Sequence, residues 1–353
     1  MVPVLVETSL PEDRTATRGK LLFLGSPSTY GPHVTEVELR ETHMSWVFLT
    51  PDLVFKLKKP VRYPFLDFST LDARERFCRE ELRLNRRLAP DVYLDVVPLV
   101  QLADGSLLLN AGPEDATTVD WLVKMRRLPA DRMLDHAIRS ASVTPSQVDA
   151  LAEVLARFYR SAPKADIAPE VNADRFIVEQ ATSRSVLLRS EFHLLHERAR
   201  RALDALDEAL ATQRNAIADR ARGGCIVEGH GDLRPEHVCL LDTPVVIDCL
   251  EFNRSLRLVD PLDELAFFGL ECDFAGAPWI GPQLVRRCAA RLGDEVSPQL
   301  LAVYTCYRAL LRARLSAAHL LEPDPREPER WLPQATRYIE FASRALEPRI
   351  SAT

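Results

Sequence analysis

His230-Gly231-Asp232-Leu233-Arg234-Pro235-Glu236-His237, with Val245-Val246-Ile247-Asp248 close behind it, is the stretch that decides how this chain is read. Gly231 favours a tight turn just ahead of Asp232. An apolar strand then ends in a second acid, Asp248. Asp242-Thr243-Pro244 supplies a turn between strands at residues 238–241 and 245–247, so a small hairpin is expected to bring both acids to one mouth. Taken singly, Asp232 reads as a turn residue and Asp248 as a helix cap. Taken together across a hairpin they read as a chemical site, one carboxylate to accept a proton and one to hold a metal.

Phosphoryl transfer requires such a pair together with a cation for the phosphates. The cation candidates lie upstream, where residues 34–40, 45–49 and 53–58 alternate or are β-rich and Thr50-Pro51-Asp52 makes a turn. Lys56, Lys58 and Lys59 crowd the third of these strands in a chain whose positive charge is otherwise mostly arginine. Alternation puts Lys56 and Lys58 on the same strand face. A helix is expected from residue 71 to 88, stopping before Pro90, and carries Glu80 and Glu81. Further strands are expected at 92–102, 106–109 and 119–125. After Pro129 helical periodicity takes over, at 131–140, 146–159 and 174–222, with Gly223-Gly224 as a stop and helices again from Asp260 onward.

Three blocks in order then resemble the aminoglycoside phosphotransferase and choline kinase family of the protein-kinase-like fold. They are His230-Gly231-Asp232, Val246-Ile247-Asp248 and Asp260-Pro261-Leu262-Asp263-Glu264-Leu265-Ala266. The chain also resembles an uncharacterised bacterial branch of that family in Glu41-Thr42-His43-Met44-Ser45-Trp46-Val47-Phe48-Leu49, in Leu66-Asp67-Phe68-Ser69-Thr70, and in residues 80–90. The resemblance implies an α+β, bilobal protein-kinase-like fold. Residues 1–20 would be a flexible segment, 21–125 an N-terminal lobe of antiparallel sheet and one helix, and 126–353 a mainly helical C-terminal lobe.

It also implies roles. Asp232 would be the catalytic base and Asp248 a Mg²⁺ ligand. Lys56 would hold the nucleotide phosphates and pair with Glu81, with Lys58 and Glu80 as rivals for those places. The backbone near Met125 and Arg126 would receive adenine, and Ser45 would donate to a phosphate from a turn that lacks the family's usual glycine. His237 stands where the family has a metal-binding Asn, so it would contact phosphate, hold a metal through water, favour Mn²⁺, or be structural. Imidazole suits Mg²⁺ poorly. Glu251, Asn253, Arg308 and Arg312 are the acceptor-site candidates. The two arginines suggest an anionic or sugar-like acceptor; Asp263, Glu264, Glu271 and Asp273 suggest a cationic one.

The expected activity is transfer of phosphate from ATP to a small-molecule hydroxyl or amine. A nucleotide-binding pseudokinase, and a metal-dependent hydrolase using His230, Asp232, His237 and Asp248, are the competing readings. A net charge of -6 argues against a general nucleic-acid partner. No apolar run is long enough to span a membrane, and residues 1–18 do not read as a secretory signal. Seven scattered cysteines without a Cys-x-x-Cys pair read as buried free thiols. A soluble cytoplasmic protein of unspecified oligomeric state is expected.

Overall fold

The structure, a computed structural model, describes residues 14–63, 66–110, 112–322 and 325–347. It divides into two units. Among the described residues, the first joins 14–133 with Val245–Asn253; the second comprises Leu134–Pro244 and 254–347. The α+β class is as expected, with the large sheet in the first unit and a mainly helical second unit.

The first unit opens with helix α1 (Arg14–Leu24). Strands β1 (Glu38–Glu41), β2 (Ser45–Leu49) and β3 (Leu53–Lys58) follow, then the short pair β4 (Arg62–Tyr63) and β5 (Leu66–Asp67). Helix α2 (Leu71–Asn85) leads to β6 (Tyr93–Gln101), β7 (Leu107–Leu109) and β8 (Thr117–Arg126). Six strands form one antiparallel sheet in the order β1-β2-β3-β8-β6-β7.

Strand alternation separates two cores. Phe55, Leu57, Leu99 and Leu122 point to one face, where Leu24 of α1 joins them. Val96, Val123 and Met125 point to the other, with Cys78 of α2. Lys56 and Lys58, interleaved with Phe55 and Leu57, are thereby turned to the α2 side. Helix α2 starts where Thr70 caps it, its hydroxyl oxygen accepting from the Ala73 N–H.

Residues 14–20, expected to be loose, are helical. The Lys20 Nζ donates to Asp120 at 2.7 Å and to the Val119 carbonyl at 2.9 Å. Asp120 is buried and also takes the Arg74 guanidinium at 2.7 Å, so a charged anchor ties α1 to the sheet. Residues 1–13 lie outside the described residues. The first strand is shorter than expected, Glu38–Glu41 rather than 34–40, and α2 ends at Asn85.

The second unit contains α3 (Leu134–Arg139), α4 (Pro145–Ser161), α5 (Pro169–Leu187) and α6 (His196–Arg222). The helical run expected over 174–222 is thus two helices parted at 188–195. Short strands β9 (Val227–Glu228), β10 (Val238–Cys239) and β12 (Leu258–Val259) come next, with β11 (Val245–Val246) in the first unit. Strands β9 and β12 pair antiparallel.

Helices α7 (Pro261–Phe274), α8 (Ile280–Leu292), α9 (Pro298–His319) and α10 (Pro328–Leu346) complete the unit. α7 and α8 approach so closely that a Cβ on Gly281 would lie 2.6 Å from the Gly269 Cα. Only glycine permits that crossing. All seven cysteines are free thiols, six of them buried. Among the described residues no helix is long and apolar enough to cross a membrane.

Leu122, fully buried between β3 and β6, tests the sheet core. Leu122→Ala should destabilise the first unit by about 2–5 kcal/mol. Urea unfolding followed by tryptophan fluorescence would show the loss.

Candidate functional site

The chemistry-bearing residues fall into two clusters, one in each unit. In the first unit the centre is Glu81, whose side chain is 0% exposed. Its Oε1 accepts from the Lys56 Nζ at 2.9 Å and its Oε2 from the Lys58 Nζ at 2.6 Å. Lys56 also donates to the Asp248 Oδ1 at 2.7 Å, and Lys58 is hydrogen-bonded to Glu251. The two expected rivals on β3 therefore share one carboxylate. Glu80 points elsewhere and pairs with Arg83 at 2.7 Å on the helix surface.

Burial alone would raise the Glu81 pKa and lower that of Lys56. The charges outweigh it. Lys56 and Lys58 hold the Glu81 carboxyl below its ordinary value, and Asp248 and Glu81 hold the Lys56 ammonium well above its own. Burial wins at Glu251, whose carboxyl sits above its ordinary value despite Lys58.

Asp248 sits at φ 63°, in the left-handed region that Asp tolerates better than most residues. Three contacts fix this turn. The Asp248 N–H donates to the Tyr93 hydroxyl at 3.0 Å. The Cys249 N–H donates to the Asn85 Oδ1 at 2.8 Å. Asn85 in turn donates to the Glu81 carbonyl at 2.9 Å, one helical turn back. The Asp248 side chain remains 46% exposed. Asn85 and Tyr93 were not anticipated; the i, i+4 spacing of Glu81 and Asn85 was the signal that could have found the first.

Ser45 is buried, and its N–H donates to the Thr42 hydroxyl oxygen at 3.0 Å, so Thr42 closes the glycine-free turn. Met125 is buried in the sheet, paired with Val54 and Tyr93, and the Arg126 N–H donates to the Val92 carbonyl at 2.8 Å. Asn253, partly buried, ends the Val245–Asn253 segment.

In the second unit the centre is the loop around Asp232. Glu264, buried on α7, accepts from the N–H groups of His230 at 3.1 Å and Gly231 at 2.5 Å and from the Tyr159 hydroxyl at 2.8 Å. Gly231 has φ 89°. Gly229 has no room for a side chain: a Cβ there would lie 2.5 Å from Val259 and 2.9 Å from Glu264. His230 is fully buried, and its Nδ1 accepts from the Asp232 N–H at 3.3 Å.

The His237 Nδ1 is 2.8 Å from the Asp232 carbonyl oxygen, and its Nε2 is 3.4 Å from an Arg234 nitrogen. The Arg234 Nε lies 3.2 Å from the Asp232 Oδ2. Burial pushes the Asp232 carboxyl up, but Arg234, with His237 and Arg312, more than offsets this and holds it below its ordinary value. Its side chain is 34% exposed.

The acceptor candidates on α9 are engaged internally. Arg308 grips Asp263 with two bonds, at 2.7 and 2.6 Å. Arg312 lies 3.2 Å from Glu271, which also accepts from the Tyr338 hydroxyl at 2.8 Å. Asp260 caps α7 and accepts from Arg220 at 2.7 Å and Tyr304 at 3.0 Å. The charges that seemed to argue for opposite acceptors largely neutralise one another.

Solved structures share this arrangement of elements. A choline/ethanolamine kinase family protein from Mesorhizobium loti superposes with a TM-score of 0.55 at 14% identity, over 94% of this chain and 95% of that one. The chain has the choline kinase fold. A choline kinase from Cryptosporidium parvum gives 0.52 at 10% identity, over 94% and 95% of the two chains. In sequence, uncharacterised proteins of Mycobacterium tuberculosis and Mycobacterium bovis are 32% identical over 322 residues. That is 87% of this chain and 60% of theirs, so the chain spans about three fifths of the length of these curated relatives. No family model matches.

In the first unit, the Glu81 carboxylate should contribute to the pH dependence of stability. Its depressed pKa adds stability above the ordinary value of 4.5, and that contribution is lost as pH falls through the lower folded value. Glu81→Gln should cost about 3–5 kcal/mol at neutral pH, because two buried ammonium groups lose their shared partner. The variant's melting temperature should fall less steeply than that of the wild type as the pH drops below 4.5.

Proposed function

We propose that the chain transfers the γ-phosphate of ATP to a small-molecule hydroxyl or amine. The observation that carries this is the Lys56 ammonium, bonded to Glu81 and to Asp248, in a chain with the choline kinase fold. Lys56, with its side chain 16% exposed, would hold phosphate oxygens. Asp232 would accept the acceptor's proton as attack begins, and its low pKa keeps it ionised at neutral pH. The backbone at Met125 and Arg126 would receive the adenine, as the resemblance implies.

The donor chemistry of Asp248 fits Mg²⁺, since it offers carboxylate oxygen on a part-exposed side chain. His237 does not fit, because both ring nitrogens face protein partners. Mg²⁺, when bound, would neutralise charge on the phosphate oxygens.

A pseudokinase is the second reading, and His237 in the expected second metal position is the observation that favours it. The hydrolase reading loses His230, which is buried and engaged with its own loop. Acceptor class is not written in Arg308 or Arg312, whose carboxylate partners balance them.

Asp232→Ala should lower ADP release by about 10²–10⁴-fold while leaving MgADP binding, measured by calorimetry, within a few-fold of wild type. A screen of hydroxyl and amine acceptors by ADP release, run against this variant, tests the reading. Full turnover by Asp232→Ala would sink it, and nucleotide binding without turnover would favour the pseudokinase. With Asp232 as the only titrating base, kcat/KM should be flat from pH 6 to 8 and fall only on the acid side of the ordinary carboxylate range.

A further inference from the structure

Lys58 has no place in the chemistry just described, yet its side chain is as enclosed as that of Glu81. Its side chain is 0% exposed, so it cannot meet a ligand. Its Nζ lies between Glu81 on α2, at 2.6 Å, and Glu251, and 4.9 Å from the centre of the Phe68 ring. Glu251 is itself only 10% exposed. The neighbouring Phe252 packs with Val61, Leu66 and Phe68.

The contacts close a ring: Asp248, Lys56, Glu81, Lys58, Glu251, and back along the chain to Asp248. A buried ion pair is a poor stabiliser compared with apolar packing of the same volume, so stability alone is a weak reason for two lysines here. Position is a better one. Lys56 is the arm that must exchange the Asp248 carboxylate for phosphate while its bond to the Glu81 Oε1 holds, and Lys58, bonded to the Glu81 Oε2, fixes that carboxylate from its other oxygen. Without Lys58, the Glu81 Oε2 would lose the contact that fixes the carboxylate on which Lys56 rests, and the tie from α2 to the Val245–Asn253 segment through Glu251 would be cut.

We infer that Lys58 is a positioning residue: it holds Glu81 and Glu251 so that Lys56 is free to switch between Asp248 and phosphate. This rests on the phosphotransferase reading for its purpose, but not for its test. The full chain would be compared as wild type, Lys58→Met, and the double variant Lys58→Met with Glu251→Gln. Hydrogen exchange over residues 71–85 and 245–253, melting temperature, and ADP release from MgATP with water as acceptor would be measured on each.

Lys58→Met should lower exchange protection in both segments by about tenfold or more, and kcat for ADP release by about tenfold or more with KM for ATP within about threefold. The double variant, in which the buried Glu251 charge is removed along with that of Lys58, should regain melting temperature but neither protection nor turnover. Recovery of turnover along with melting temperature would show a merely structural lysine and overturn the inference. Wild-type protection in both segments of Lys58→Met would overturn it as well. If Lys58→Met does not fold, the double variant decides, since normal protection in it again removes the role. A wild type that binds and hydrolyses no ATP would count against the phosphotransferase reading, and the exchange measurement would then decide the role of Lys58 by itself.

Discussion

One carboxylate with no access to water organises the first unit. An isolated Glu81 anion there would be prohibitively expensive, and it is tolerated because two ammonium groups meet it, one at each oxygen. That requirement fixes much else. It demands that β3 present two lysines on one face, that α2 begin and end where Glu81 faces them, and that Asp248 and Glu251 return to balance the second charge. The left-handed turn at Asp248 then follows, held by Tyr93 and Asn85. In the second unit Glu264 plays a comparable part, since its buried carboxylate gathers two backbone N–H groups and a tyrosine hydroxyl around the Asp232 loop.

The fold was legible in the sequence wherever a period was clean. β2 and β3 begin and end where alternation places them, because Thr50-Pro51-Asp52 leaves no other register. Helix α2 was signalled by its cap. The misses share a physical cause. Helix α1 is held by Lys20 reaching across to Asp120, a contact a hundred residues away that no local pattern reports. Helices α5 and α6 read as one run because the link between them, a 3-10 turn over Ser190–Leu195 kinked at Phe192, contains neither glycine nor proline.

The candidate residues were legible by type more than by state. Sequence placed Lys56, Lys58 and Glu81 near one another but presented the lysines as rivals, since spacing cannot show that a carboxylate has two oxygens to share. It also presented Arg308, Arg312, Asp263 and Glu271 as signals about an acceptor. Their mutual pairing is a matter of α9 lying against α7, which only the packing reveals. His237 was ambiguous for the same reason: its ring is occupied by its own loop.

The division of the chain also has a consequence for how it is made. Val245–Asn253 belongs with the first unit, although more than a hundred residues of the second unit precede it. A nascent chain that has emerged only as far as β8 has Lys56, Lys58 and Glu81 but neither Asp248 nor Glu251. It therefore carries two buried cations against one anion and lacks the charge balance of the finished unit. Folding that unit to completion must wait for the ribosome to pass residue 253, by which point more than a hundred residues of the second unit have also been made.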